Sequence, residues 1–268
     1  MNISCVIVNY NNASYLERAV MSVLGQTLPP GEIIIADDAS TDGSVDIINR
    51  LADANKCIRP IFRENNIGVA ANRDLAIKAS RGQFFTTLDS DDWFYPEKVE
   101  KEYLALEGSL SAIACSDVDL VQHEAVFDTI NMLSFCALSE PSERLLFLVS
   151  RKKGMPRDMM MAKSLYLDTG GMRHALKRYE DWDLKIRLAE KEVIWVHSGI
   201  VGMAYLREGT GLSSVNQFRH TLDKIRVLFP GLVHSDYRAT FSQGMFDLFF
   251  KKGARKVFKR KGMGNEII

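Results

Sequence analysis

Three short runs constrain this chain more than anything else in it. Residues 3–8, 33–36 and 84–88 are near-continuous apolar or β-prone stretches, the pattern of strands covered on both faces. Each breaks off into polar residues: Asn9-Tyr10-Asn11 after the first, Asp37-Asp38 after the second, Asp89-Ser90-Asp91-Asp92 after the third. Helical patterns stand between them. The first carries an apolar stripe of Leu16, Ala19, Val20, Val23 and Leu24, with Ser14 placed to cap it. Pro29-Pro30-Gly31 then breaks the chain. The second helix puts Val45, Ile48 and Leu51 on one side, behind a turn and capping cluster at residues 40–44. The third runs over residues 69–79 and is ended by Gly82. Residues 58–62 read as a further strand, near a sheet edge because Pro60 has no N–H to donate. Pro96 starts another helix with Val99, Tyr103, Leu104 and Leu106.

This β-α-β-α-β-α-β order predicts an α/β fold, a Rossmann-like, mainly parallel central sheet flanked by helices. Ligands of such sheets bind at the carboxyl ends of the strands, so the three polar clusters mark one rim. Beyond residue 112 the pattern is less regular. Residues 112–118, 193–196 and 200–206 read as strands, and residues 143–149 as a helix. Glu180-Asp181-Trp182-Asp183 opens a helix, where acidic residues also suit the macrodipole. Residues 216–268 form a C-terminal helical extension. Its stretch 246–261 mixes Phe246, Phe249, Phe250, Val257 and Phe258 with Lys251, Lys252, Arg255, Lys256, Lys259, Arg260 and Lys261. That composition suits a helix on an anionic membrane surface, and equally a docked helix with a solvated basic face.

Clustered carboxylates at the exit of a buried strand repel one another unless a cation or donor sits among them. Hard oxygen ligands point to Mg²⁺ or Mn²⁺, commonly bound through one or two carboxylates and substrate phosphates. Net charge is zero, which gives no global attraction to nucleic acid. Cys5, Cys57, Cys115 and Cys136 have no CxxC spacing, and the histidines form no HExxH, so zinc and disulfide chemistry are unsupported. Nothing at the start reads as a signal peptide, and no apolar run approaches the roughly 20 residues a membrane span needs. The reading is a cytoplasmic protein, peripheral on the inner face of the cell membrane.

With the rim assembled, residues 3–213 resemble inverting glycosyltransferase family 2, of GT-A fold, in its bacterial cell-surface polysaccharide type. The resemblance rests on six segments in order: Val6-Ile7-Val8-Asn9-Tyr10-Asn11; Leu24-Gly25-Gln26-Thr27; residues 35–42; Asn66-Ile67-Gly68 followed by Arg73; the DxD-like Leu88-Asp89-Ser90-Asp91-Asp92; and the ED-like run at residues 179–184 with Arg187-Leu188. It implies a GT-A domain over residues 1–215, with a nucleotide-sugar half (1–100) and an acceptor half (101–215). Tyr10 and Asp38 would bind the base, with Val8 and Asp37 supporting that site. Arg73, Asp89 and Ser90 would place the nucleotide sugar. Asp91 would be the main metal ligand and Asp92 would assist. Asp181 would be the general base. Glu180, Trp182, Arg207 and Glu208 are late-site or acceptor candidates.

The implied reaction is metal-dependent transfer from a nucleoside-diphosphate sugar, UDP-linked by preference, to a glycan or lipid-linked hydroxyl. A base of ordinary carboxylate strength is weak, so burial or acidic neighbours should raise the pKa of Asp181, and Glu180 and Asp183 stand ready to do so. Two departures from the family pattern stand out. Asp74 follows Arg73 where Asn is common, and Glu208 occupies the place of a histidine that can touch the metal or diphosphate. Arg207 could then supply the lost positive charge. Two alternatives stay open: a sugar nucleotidyltransferase, which would want a basic glycine-rich loop after the first strand, and a non-catalytic nucleotide-sugar-binding scaffold at a membrane.

Overall fold

The computed structural model describes residues 2–150, 154–207, 217–234 and 236–246. Its first part alternates strand and helix as the sequence predicts: β1 (Ile3–Asn9), α1 (Ala13–Leu24), β2 (Glu32–Asp37), α2 (Ser44–Ala54), β3 (Ile58–Phe62), α3 (Val69–Ala79) and β4 (Phe84–Asp89). There follow β5 (Trp93–Phe94), α4 (Lys98–Ala105), β6 (Ala112–Gln122), β7 (Ala125–Ile130), α5 (Leu133–Cys136) and α6 (Pro141–Ser150). The remainder is β8 (Met160–Ala162), α7 (Lys163–Asp168), α8 (Glu180–Ala189), β9 (Ile194–Leu206), α9 (Gln217–His234) and α10 (Arg238–Phe246).

All the strands join one sheet in the order β3-β2-β1-β4-β8-β6-β9-β5, with β7 paired to β6. β1, β2, β3 and β4 are mutually parallel, as are β6 and β9. The short β8 bridges the two parallel groups, antiparallel to both neighbours. Pro60 sits on the edge strand β3, where its missing donor is harmless. Every residue of β1 is buried, which explains why its sequence reads as a continuous apolar run.

Several local expectations change. Ser14 does not cap α1. Asn12 holds the N-cap position without a side-chain bond, and the N–H of Ala13 goes to Asp42 Oδ2 at 2.8 Å. The other Asp42 oxygen accepts from the N–H and hydroxyl of Ser44, so one carboxylate serves the first turns of two helices. Pro96 does not open α4, which begins at Lys98 behind Glu97. Residues 194–206 are one strand rather than two. The apparent interruption is an irregularity of register opposite Cys115 and Asp117, where Gly199 takes φ +82° and His197 bonds Asp117 at 2.8 Å.

Behind β4 lies an ion pair with no exposure at all. Lys98 Nζ is 2.6 Å from Glu102 Oε2. It also donates to the carbonyl of Asp158 at 2.7 Å and to Thr86 Oγ1 at 3.2 Å. Glu102 in turn accepts from the Ser116 hydroxyl. The helical extension packs back on the domain through α10, which touches α6 and α9. A Cβ built on Gly231 would lie 2.4 Å from the buried Phe241 ring, so this helix crossing needs a glycine. The basic stretch of the tail beyond residue 246 lies outside the described residues.

Candidate active site

Strand register sets the rim. Asn9 pairs with Asp37, and Val8 with Asp89, so β1, β2 and β4 end level with one another. The loops beyond them are tied together by the polar residues that end each strand. Asp37 accepts from Asn9 Nδ2, the Ser40 N–H and the Ser40 hydroxyl. Asp38 accepts the N–H groups of Ile67 and Gly68 at 2.9 Å each, one on each oxygen. Ser90 is buried, its N–H reaching the Val8 carbonyl and its hydroxyl accepting from Asn12. Tyr10 stands exposed on the same rim.

At the end of β4 the carboxylates of Asp89, Asp91 and Asp92 converge, with one oxygen of each within 4.8 Å of the others. Burial, then the neighbouring Asp89, pushes Asp91 up to about 6. Asp92 is fully buried and also pushed up, burial leading. One of its oxygens takes the N–H of Leu206 at 2.9 Å. The backbone carbonyl of Asp91 accepts from Arg18, whose guanidinium lies 3.9 Å over the Trp93 ring. Trp93 is therefore engaged by an arginine.

The decisive contact crosses the chain. Arg73, buried on α3, donates to Asp89 through one terminal nitrogen and to Glu180 Oε1 at 3.0 Å through the other. It joins the end of β4 to the start of α8. Asp89 of the first acidic motif and Glu180 and Asp181 of the second line one cleft that opens to solvent. Glu180 is fixed from behind as well. Tyr179 adopts φ +62° and its hydroxyl meets His220 of α9 at 2.8 Å. Arg178 bonds Asp223 of the same helix.

The two carboxylates at the start of α8 are driven apart. Burial, with Asp181 beside it, raises Glu180 to about 7 in spite of Arg73. For Asp181 the order reverses. Burial alone would raise it, but Lys185 Nζ lies 2.6 Å away, and Arg157 and Arg73 add to it. Together they hold Asp181 below the usual carboxylate range, the opposite of the sequence-based expectation. Asp183 does not act on Asp181 as expected, because it is taken up by Arg173 and Arg187. Asp181 is a third exposed and faces the cleft.

Trp182 is corrected outright. It is 1% exposed, donates Nε1–H to the Leu148 carbonyl, and belongs to the core rather than the acceptor side. Arg207 is exposed at the end of β9, and its N–H goes to Val121. Glu208 lies outside the described residues. Three charged residues of the cleft escape the sequence reading: Arg157, Asp158 and Lys185. Lys185 alone left a signal, standing four residues after Asp181 on one helix face.

A family model described as Glycosyl transferase family 2 matches residues 4–178. The chain belongs to that family. The match stops just short of Glu180 and Asp181. Among similar proteins, the putative teichuronic acid biosynthesis glycosyltransferase TuaG of Bacillus subtilis is 38% identical over 100 residues, 37% of this chain and 40% of that one. An uncharacterized glycosyltransferase of Haemophilus influenzae matches to the same extent, so the matched part spans about 40% of these relatives. The Escherichia coli enzyme WfaP, a UDP-Glc:α-D-GlcNAc-diphosphoundecaprenol β-1,3-glucosyltransferase by name, is 27% identical over 84% of this chain and 85% of its own. TarS of S. aureus (residues 1–349, in complex with UDP-GlcNAc) superposes with a TM-score of 0.73 at 19% identity, over 98% of this chain and 76% of that structure. The fold is the GT-A fold that the sequence resemblance implies.

Proposed function

We propose that this glycosyltransferase moves a sugar from a nucleoside-diphosphate donor, with UDP preferred, to a hydroxyl of a glycan or lipid-linked acceptor during cell-surface polysaccharide synthesis. The observation that carries this reading is Arg73 holding Asp89 and Glu180 together, so that donor-side and acceptor-side carboxylates face one cleft. The names of TuaG and WfaP and the ligand of TarS support the substrate class. In this reading residues 1–100 hold the donor, with Val8, Tyr10, Asp37 and Asp38 at the base and Arg73, Asp89 and Ser90 at the sugar nucleotide. Residues 101–215 hold the acceptor. Among the described residues no helix is long and apolar enough to cross a membrane. Contact with the inner membrane face rests on the basic composition of residues 246–261 and on the lipid-linked acceptor in the name of WfaP.

The donor set suits a hard divalent ion such as Mg²⁺ or Mn²⁺: three carboxylate oxygens within 4.8 Å, one group held up by burial and by a like charge. Asp91 would be its main ligand, and Asp92, fixed through the Leu206 N–H, would hold the loop. When bound, the ion offsets negative charge on the diphosphate. Asp181 takes the proton of the acceptor hydroxyl. The hydroxyl oxygen bonds to C1 as the bond from C1 to the diphosphate oxygen breaks, and that electron pair leaves with the diphosphate. A single displacement inverts the anomeric carbon, and no second carboxylate nucleophile is called on.

Calorimetric titration of UDP, GDP and dTDP with and without Mn²⁺ tests the reading. Wild type should bind one nucleotide in a metal-dependent way, and Asp91→Ala should lose most of that dependence. Metal-independent binding of equal strength in both proteins would remove Asp91 as ligand.

Lys185 gives a second test. A base held low is ionised, and so competent, down to a lower pH. Lys185→Met removes the nearest cation, and the pKa of Asp181 should rise. The acid limb of the kcat/KM profile should therefore move to higher pH, with the neutral-pH rate changing less. An unmoved acid limb would show that Asp181 is not the group that the profile reports.

A further inference from the structure

Arg157 belongs to neither acidic motif, yet it occupies the space between them. It precedes β8, and its guanidinium lies 3.7 Å over the Tyr205 ring. One terminal nitrogen is 3.5 Å from Asp89 Oδ2 and 3.5 Å from Asp92 Oδ2. Its Nε is buried with no hydrogen-bond partner among the described residues. A guanidinium has five N–H donors, and leaving them unmet away from water is costly. Here the two carboxylate contacts are long, and Nε makes none among the described residues.

The backbone that carries Arg157 is held rigidly. Asp158 sits at φ +42°, a conformation rarely adopted by a non-glycine residue. Thr86 and Lys98 bond its carbonyl, and Thr87 bonds its carboxylate. With the backbone pinned and the side chain sandwiched by Tyr205 and two carboxylates, the guanidinium is aimed into the cleft beside the end of β4.

We propose that Arg157 binds the diphosphate of the donor and receives the negative charge that develops on it as the C1–O bond breaks. The planar fork of arginine matches two phosphate oxygens at once. Asp89 and Asp92 keep it charged and aimed without satisfying it. This position supplies the cation that the departure at Glu208 takes away and that Arg207, exposed at the end of β9, was expected to replace. The inference rests on the reading of the donor as a nucleoside-diphosphate sugar.

Equilibrium binding of UDP and of uridine, with Mg²⁺ and in EDTA, separates the possibilities. Arg157→Met should weaken UDP about 10- to 100-fold and leave uridine unchanged, since only UDP carries the diphosphate. Arg157→Lys keeps charge and bulk without the fork. It should recover part of the UDP affinity, and it keeps the test available if the methionine variant does not fold, as judged by its melting transition. Unchanged UDP binding in both variants, or equal loss of UDP and uridine, overturns the assignment while leaving the donor reading intact. Failure of the wild-type protein to bind UDP, GDP or dTDP at all overturns the donor reading and the assignment with it.

Discussion

Asp181→Asn is expected to lower kcat for sugar transfer by about 10²- to 10⁴-fold, the usual contribution of a general base, with donor affinity unchanged. The amide is almost isosteric with the carboxylate, so the shape of the cleft persists. What it lacks is the lone-pair basicity needed to take the acceptor's proton. The donor contacts proposed for Arg73, Asp89 and Arg157 are untouched by the change. Single-turnover transfer and donor titration on the same preparation check both halves. The variant also leaves the buried Lys185 ammonium without its partner at 2.6 Å, so some loss of stability should accompany the loss of rate. If transfer persists within a few-fold, the base lies elsewhere. Glu180, held at about 7 but only 7% exposed, is then the group to examine.

Lys98→Met should be the most damaging change to stability. The ammonium is wholly buried among Glu102, Thr86 and the Asp158 carbonyl. Removing it strands a buried carboxylate, which burial already pushes up despite the lysine. Breaking such a pair from one side costs about 3–5 kcal/mol, because the remaining charge is uncompensated. Urea denaturation should show a loss of that size. The double variant Lys98→Met, Glu102→Leu should recover much of it, because no charge is then left unpaired. A loss under about 1 kcal/mol for the single variant, or a double variant no better than the single, would show that the buried pair does not anchor the fold.

The sequence carried the first half of the molecule well, for a physical reason. Strands covered on both faces must be apolar throughout, so β1, β2 and β4 announce themselves, and the polar residues that end them can serve only the rim. The second half was less legible because its elements take identity from their neighbours. β8 is three residues long and exists because β4 and β6 flank it. β7 has five exposed residues and one half-buried one, so it offers no burial pattern to read. The ED run was legible, but its electrostatics were not. Nearness in sequence suggested that Asp183 and Glu180 would set the basicity of Asp181, whereas the fold turned Asp183 toward two arginines and brought Lys185, Arg157 and Arg73 to bear. Arg157 and Asp158 carried no motif at all, and only the sheet order places them beside the end of β4.

The arginine shared by Asp89 and Glu180 has a consequence for how such a chain can change over generations. Its two partners lie at very different distances in the sequence, Asp89 16 positions away and Glu180 107. Recombination or drift could therefore alter one motif without the other. Their common counter-ion couples the two in charge. A lineage that lost Glu180 would leave the whole charge of Arg73 to Asp89 and dull that carboxylate toward any cation. A lineage that lost Asp89 would leave the start of α8 pulled by an uncompensated guanidinium. In this chain the two motifs share one counter-ion, and a change at either is felt at the other through Arg73.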